Sequence, residues 1–408
     1  MAALAEDANP LYPLYAVIFA DPTVPGAGLS AASISSLFIL WSACSFLFEI
    51  PTGILADRVP RRALLVTGPL CSGAGFALWT WWPSFGAFAA GFVLWAAGTA
   101  LRSGSLQALL YDTLAARGQA LQYAALAGRV RAMGATGVLL GTAAAIPLTA
   151  WGGYAAVGAA GVASCIVCSV ASAMLPEDAP PRREADHDEA DPECGGTAAG
   201  WRIVVGEAFA GLRGDRLLRR VVVLLIALTW VAALDEYLPL LADAMWSDAM
   251  WSGSAAATGV SMLMVVVAVG DIAGGHAASR TDVTDFRPRR LAPWLLAGAI
   301  ALGLGAISGH PVGIILVAFA FGVFGWALVM ADAMMQHRIP TGARATITSV
   351  VGVGEETVAI AAFGAWAAGS VWLAPTTSFA VAAVPYAVLA VVLMVSSSGA
   401  TTARASGR

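Results

Sequence analysis

Two pairs of adjacent acids, Glu355-Glu356 and Asp235-Glu236, lie inside long apolar stretches of this 408-residue chain. Glu49, Asp271 and Asp332 stand in similar surroundings, and against these seven acids the apolar stretches hold three bases, Arg102, Arg129 and Arg131. A charge at the centre of a bilayer costs about 2.5 to 3.5 kcal/mol on insertion scales, so such residues should turn away from hydrocarbon. Seven acids cannot all find an arginine among three. The surplus is expected to be protonated part of the time, because a neutral acid is less costly to bury than a carboxylate. Reversible proton exchange is the chemistry that suits such a set. Counted inward from Arg344, Glu355 lies about 16 Å along a helix, near the midplane of a bilayer. Other acids have plainer readings. Asp332 is expected to pair with Arg338 or Arg344 near a membrane face, Asp112 and Asp271 could cap or pair near interfaces, and Glu49 could brace the charged turn that follows it.

The elements that must position these groups are membrane helices. Apolar residues make up 59% of the chain and charged residues 12%, against about 25% charged in soluble domains. Mean hydropathy is +0.76. Apolar runs of spanning length predict helices over 31–55, 62–82, 84–112, 120–147, 151–175, 217–241, 255–279, 290–309, 311–336, 343–369 and 372–396. A twelfth, Leu11 to Ala20, is short, and a truncated first span is expected, since a signal peptide would open with basic residues. All 22 basic residues are arginine and, apart from the three within apolar stretches, they lie in alternate loops: Arg58 to Arg62, Arg117, Arg182 to Arg220, Arg280 to Arg290, Arg338 with Arg344, and Arg404 with Arg408. The positive-inside rule then places both termini in the cytoplasm and requires an even number of spans.

Residues 176–200 carry eight acids and four prolines with few apolar side chains, the composition of a disordered cytoplasmic linker. Residues 201–213 resume with an amphipathic pattern. The linker therefore divides the chain into six spans on each side. Gly53 and Arg58 at the end of span two are echoed by Gly275 and Arg280 at the end of span eight, as parallel halves would give.

Glu49, Gly53 and Asp57 share one helix face, Pro51 interrupts that helix, and Asp57, Arg58, Arg61 and Arg62 mark its water boundary. The run Gly53-Ile-Leu-Ala-Asp57-Arg58-Val-Pro60-Arg61-Arg62 resembles the signature of the loop between spans two and three in the major facilitator superfamily, Gly-x-Leu-x-Asp-Arg-x-Gly-Arg-Arg. Pro60 replaces a glycine and cannot take a positive φ, so this turn must differ in detail. Gly128, Gly137 and Gly141 match the start of the family's antiporter signature, which then fails at Thr142, Ala145 and Ile146. Close helix packing is the simpler reading of those glycines. Arg102 is similar to the family's buried span-four arginine, although Ser103-Gly104-Ser105 departs from the motif.

The resemblance implies an all-α membrane protein of about 12 helices in two six-helix halves, 1–175 and 201–396, with a cytoplasmic tail at 397–408. It further implies a secondary transporter that works by alternating access, with Asp57, Arg58, Arg61 and Arg62 latching the halves in one state. Together with the surplus acids, it points to proton-coupled export of small amphipathic or cationic compounds. Import of a sugar, nucleoside or similar metabolite is the alternative within the class, and a non-transporting scaffold or sensor is the alternative outside it. The candidate proton-coupling or substrate residues are Glu355, Glu356, Asp235, Glu236, Glu49, Arg102, Arg129 and Arg131. Partners are then a small molecule, protons and the lipid of a plasma (inner) membrane, for a monomer.

Enzyme chemistry is not signalled. Cys165 and Cys168 form a C-x-x-C within an apolar span, where packing is expected. His187, His276, His310 and His337 lack metal spacing, no phosphate loop is present, and no cofactor is expected. The net charge of -4 gives no nucleic-acid signal. Trp79, Trp81 and Trp82, with Trp246 and Trp251, mark expected outer boundaries as an aromatic belt. The tandem Asp243-Ala-Met-Trp-Ser and Asp248-Ala-Met-Trp-Ser reads as a duplication tolerated in an outer loop.

Overall fold

Apolar segments in lipid must satisfy their own backbone hydrogen bonds, which favours helices. The computed structural model of the chain has helices as its only regular elements among its described residues, 2–103, 105–116, 118–119, 123–175, 216–249, 254–283, 286–339 and 344–405. The acidic linker at 176–200, the amphipathic stretch at 201–213, Arg117 and Trp251 lie outside them. So do the side chains of Gly53, Asp57, Arg58, Asp112, Gly128, Arg131 and Arg344, and those of the tail.

The first half comprises α1 (Ala2–Asp7), α2 (Tyr15–Ala20), α3 (Ala31–Arg58), α4 (Arg61–Trp81), α5 (Phe85–Arg102), α6 (Ser105–Ala116) and α7 (Tyr123–Ala173). The second comprises α8 (Arg216–Leu228), α9 (Trp230–Asp235), α10 (Leu238–Ala249), α11 (Ser254–Ser279), α12 (Ala292–Ile307), α13 (Ile314–Arg338), α14 (Arg344–Gly369), α15 (Pro375–Ala382) and α16 (Val384–Ala405). Ten described segments are long and apolar enough to cross a membrane. One of these is α7, which is two spans joined at Gly152 and Gly153, where φ of 57° and ψ of -153° at Gly153 need a residue without Cβ.

The chain clusters into two compact units. One gathers α1 to α7 with α11 up to Val265 and Trp366–Ala368 of α14; the other gathers α8 to α10, the rest of α11, α12, α13, the rest of α14, α15 and α16. In the first, α4 packs on α5 and α7, α3 on α5, and α1 on α7. In the second, α12 is central, against α13, α15 and α16, while α8 packs on α13.

Several expected continuous helices are interrupted. The first span is α1, a run of turns through Pro10 and Pro13, then α2. Span four breaks after Arg102 at Ser103, span seven breaks at Thr229 and again at Glu236 and Tyr237, and the last span breaks at Ala383. Pro239 and Pro385 are each the second residue of the helix that resumes, where a missing N–H costs little. The turn before α4 behaves as its sequence predicts: Pro60 takes φ -51° and ψ 126° and caps α4 without a left-handed residue.

Candidate functional site

In the first unit the charged residues meet at helix interruptions. Arg102 is the last residue of α5 and is 8% exposed. Its guanidinium pairs with Glu6 of α1 through Nη2, and its Nη1 donates to Cys168 Sγ of α7 at 2.9 Å. Cys168 in turn reaches the Ala2 carbonyl at 3.4 Å. Asp7, the last residue of α1, lies close enough for the Arg102 charge to act on it. One guanidinium thus answers two carboxylates. A Cβ at Gly68 of α4 would stand 2.6 Å from Arg102 Cγ, so that glycine lets the arginine stem cross α4 at close range.

These groups line a cavity of about 270 Å³, walled by Tyr12, Trp41, Phe76 and Trp95 together with Pro69, Ser72, Thr99 and the two cysteines. Trp95 stacks on Trp41 at 4.9 Å and on Tyr12 at 5.5 Å, with Phe76 edge-on at 5.6 Å. Two donors of its lining residues, Trp41 Nε1 and Arg102 Nε, are buried without a hydrogen-bond partner among the described residues. Buried donors are normally satisfied, so these two are left with hydrogen-bonding capacity that an acceptor could use.

What holds α1 against α7 is a cradle of glycines. A Cβ at Gly137 would lie 2.6 Å from the Leu4 carbonyl, and one at Gly141 would lie 2.7 Å from Asn9 N. Gly137 and Gly141, two of the three glycines that match the antiporter signature, therefore serve close packing, as the plainer reading expected.

The second unit has acids of another kind. Asp235 ends α9 and Glu236 caps it, at the second break of span seven. Asp271 of α11 is near enough for its charge to act on Asp235, and it lies over Gly325 of α13, where a Cβ would come within 2.8 Å of Asp271 Oδ1. Glu355 accepts from Thr229 Oγ1 at 3.3 Å, at the first break of the same span. Asp332 and Glu356 are close enough for their charges to act on Glu355. Among the described residues no arginine forms an ion pair with Asp235, Glu236, Asp271 or Glu355.

Several expectations change. Arg129 is exposed instead of buried, and Glu49 is exposed on α3; Asp332 meets Gln336 Nε2 at 3.4 Å, while the side chain of Arg344, one of the two arginines expected for it, lies outside the described residues. Trp79 is not part of an aromatic belt. It is 2% exposed, and its Nε1 donates to the Phe88 carbonyl at 3.0 Å, whereas Trp81 and Trp82 are 49% and 65% exposed as a belt requires. Cys165 and Cys168 are buried as expected, but they border a cavity instead of filling a core. Sequence reasoning passed over Glu6, Asp7, Tyr12, Trp41 and Trp95. The available signal was the breakers: Pro10 and Pro13 interrupt the first apolar span beside these charges, and interrupted spans are where membrane transporters place polar contacts.

The architecture has known counterparts. The structure superimposes on a nucleoside transporter, NupG, with a TM-score of 0.69 at 12% identity, covering 97% of this chain and 96% of that one. A peptide transporter, POT, in complex with sulfate gives 0.68 at 16% identity over 97% and 92%, and the POT family transporter PepTSo gives 0.62 at 14% over 97% and 96%. At these identities the likeness is one of fold. No curated protein sequence gives a significant match. Residues 4–356 match the family model of the Major Facilitator Superfamily, a stretch that takes in the Asp57 loop, the interrupted fourth span and both sets of acids. On that match and this fold, the chain belongs to the Major Facilitator Superfamily and is a multi-pass membrane transporter.

Proposed function

We propose that the chain is a proton-coupled exporter of small amphipathic compounds that carry a positive charge. The observation that carries this reading is the composition of the cavity in the first unit: three stacked aromatic rings beside two carboxylates that share one guanidinium. Aromatic faces and a surplus carboxylate attract an organic cation, each cation–π contact contributing about 0.5 to 2 kcal/mol. Trp41 Nε1 and Arg102 Nε then take an acceptor on the same molecule. The acids of the second unit are assigned the proton. Glu355 on α14, with Asp235 and Glu236 at the break of span seven, can lose and regain charge without breaking a described arginine pair, and Glu356 adjoins Glu355 on the same helix. A charge at that depth is tolerated only where it meets a polar pathway.

Alternating access supplies the coupling: substrate and proton each bias the same two-state equilibrium. The loop residues Asp57, Arg58, Arg61 and Arg62 are proposed to latch one of those states. Asp57→Asn is then expected to leave substrate affinity intact while slowing exchange across the membrane, and unchanged exchange would remove the latch.

The direct test uses proteoliposomes with a pH gradient. Acid-inside vesicles should accumulate an organic cation such as tetraphenylphosphonium faster than protein-free vesicles do, with stoichiometric proton release. Proteins of similar fold are named as nucleoside and peptide transporters, so uridine and a dipeptide belong in the panel. Uptake of either driven by acid outside, with no cation-linked proton movement, would replace export by import.

A further inference from the structure

The export reading gives no role to the C-x-x-C motif. We infer that Cys165 and Cys168 form a dithiol site that binds trivalent organoarsenicals, with the organic group held on the aromatic wall of the cavity in the first unit.

The two cysteines are three residues apart on α7, so they share a face with Cβ atoms about 5 to 6 Å apart. Both border the cavity that holds Trp41, Trp95 and Tyr12. Arg102 Nη1 donates to Cys168 Sγ at 2.9 Å, which fixes that sulfur on the cavity side of the helix. Gly73 of α4 makes room for Cys165, since a Cβ there would stand 3.0 Å from Cys165 Cβ. Soft thiol ligands select thiophilic centres. Among the described residues no third cysteine, histidine or carboxylate joins the pair in a metal-binding group, which disfavours zinc in its usual four-ligand sites. A centre that asks for two sulfurs and carries its own apolar third substituent fits what is present.

The chemistry balances without an oxidant. An arsenoxide, R–As=O, meets two thiols; two As–S bonds form, the As–O bond breaks, and both thiol protons leave with the oxygen as one water. Arsenic stays trivalent. The product is neutral, so it adds no charge to a poorly solvated site. An aryl group R extends from arsenic onto the rings of Trp95, Tyr12 and Trp41.

Phenylarsine oxide is the probe, added to purified full-length protein in detergent. Intact mass should show one adduct, which 2,3-dimercaptopropanol removes and an equal thiol concentration of 2-mercaptoethanol does not. Adduct formation should shield Cys165 and Cys168 from later maleimide labelling, as read by peptide mapping. Cys165→Ser and Cys168→Ser should each weaken binding at least tenfold, while the combined Cys44→Ser, Cys71→Ser, Cys194→Ser variant keeps it. Inorganic arsenite should bind at least tenfold more weakly than phenylarsine oxide. Shielding at other cysteines, or loss of the adduct in the triple variant, overturns the site. Equal binding of arsenite overturns the role of the aromatic wall. None of these measurements needs transport, so they stand apart from the test of cation export.

Discussion

The two units treat buried charge differently. In the first, Glu6 and Asp7 share Arg102, and the arginine also engages a cysteine. In the second, Glu355 leans on a threonine hydroxyl and Asp235 lies near another acid. A carboxylate that loses its charge beside a guanidinium gives up an ion pair. One that has a hydroxyl and other carboxylates for neighbours can change its protonation with less disturbance of the surrounding structure. This contrast is what supports the proposal that the first unit recognises substrate and the second exchanges protons.

The contrast can be broken most sharply at Arg102. Arg102→Ala leaves two carboxylates without their counter-charge, and removing one partner of a buried pair costs about 3 to 5 kcal/mol. Thermal unfolding of the purified variant should start well below that of the parent, and transport should fall to the level of empty vesicles. Normal stability would show that α1 is not held by this pair.

A second break lies at Glu355 and Glu356. Replacing both by Gln keeps shape and hydrogen bonding but blocks ionisation. The double variant should fold, lose transport driven by a pH gradient, and retain substrate exchange at equal pH. Unfolding would reveal a structural ion pair, while unchanged pH-driven transport would move proton exchange to Asp235 and Glu236.

Two smaller effects sharpen the picture within the first unit. Trp95→Ala removes the ring shared by Trp41 and Tyr12, and loss of one aromatic face at about 1 to 2 kcal/mol should raise the half-saturation concentration for an organic cation roughly tenfold. The same variant should leave proton exchange in the second unit intact, and a parallel loss of both would end the division of labour. Gly137→Ala pushes a methyl into the Leu4 carbonyl, and overpacking of this kind costs about 1 to 3 kcal/mol. Hydrogen exchange in α1 should rise accordingly, with no effect expected on Glu355.

Much of this was legible in the chain. Long apolar runs of suitable length specify spanning helices because lipid leaves the backbone no other partner, and the Asp57 loop with its arginines marked the family. The carboxylates of spans seven and eleven stood out because any charge in such a run is costly. The pairing of Arg102 with Glu6 did not stand out, since these residues are 96 positions apart and Glu6 looked like part of a polar terminus. Trp79 read as a belt residue because it adjoins Trp81 and Trp82; helical rotation alone sends it inward while its neighbours face out.

The sequence by itself determined the helical class, the spans and the excess of acid over base within them, because each depends on local composition measured against a fixed membrane thickness. Tertiary structure decided which charge meets which. The approach of α1 to α7 over Gly137 and Gly141, and the passage of Arg102 across Gly68, bring together groups that no local pattern relates. Small residues permit such contacts at many places in a chain this rich in glycine, and only the packing of whole helices selects among them.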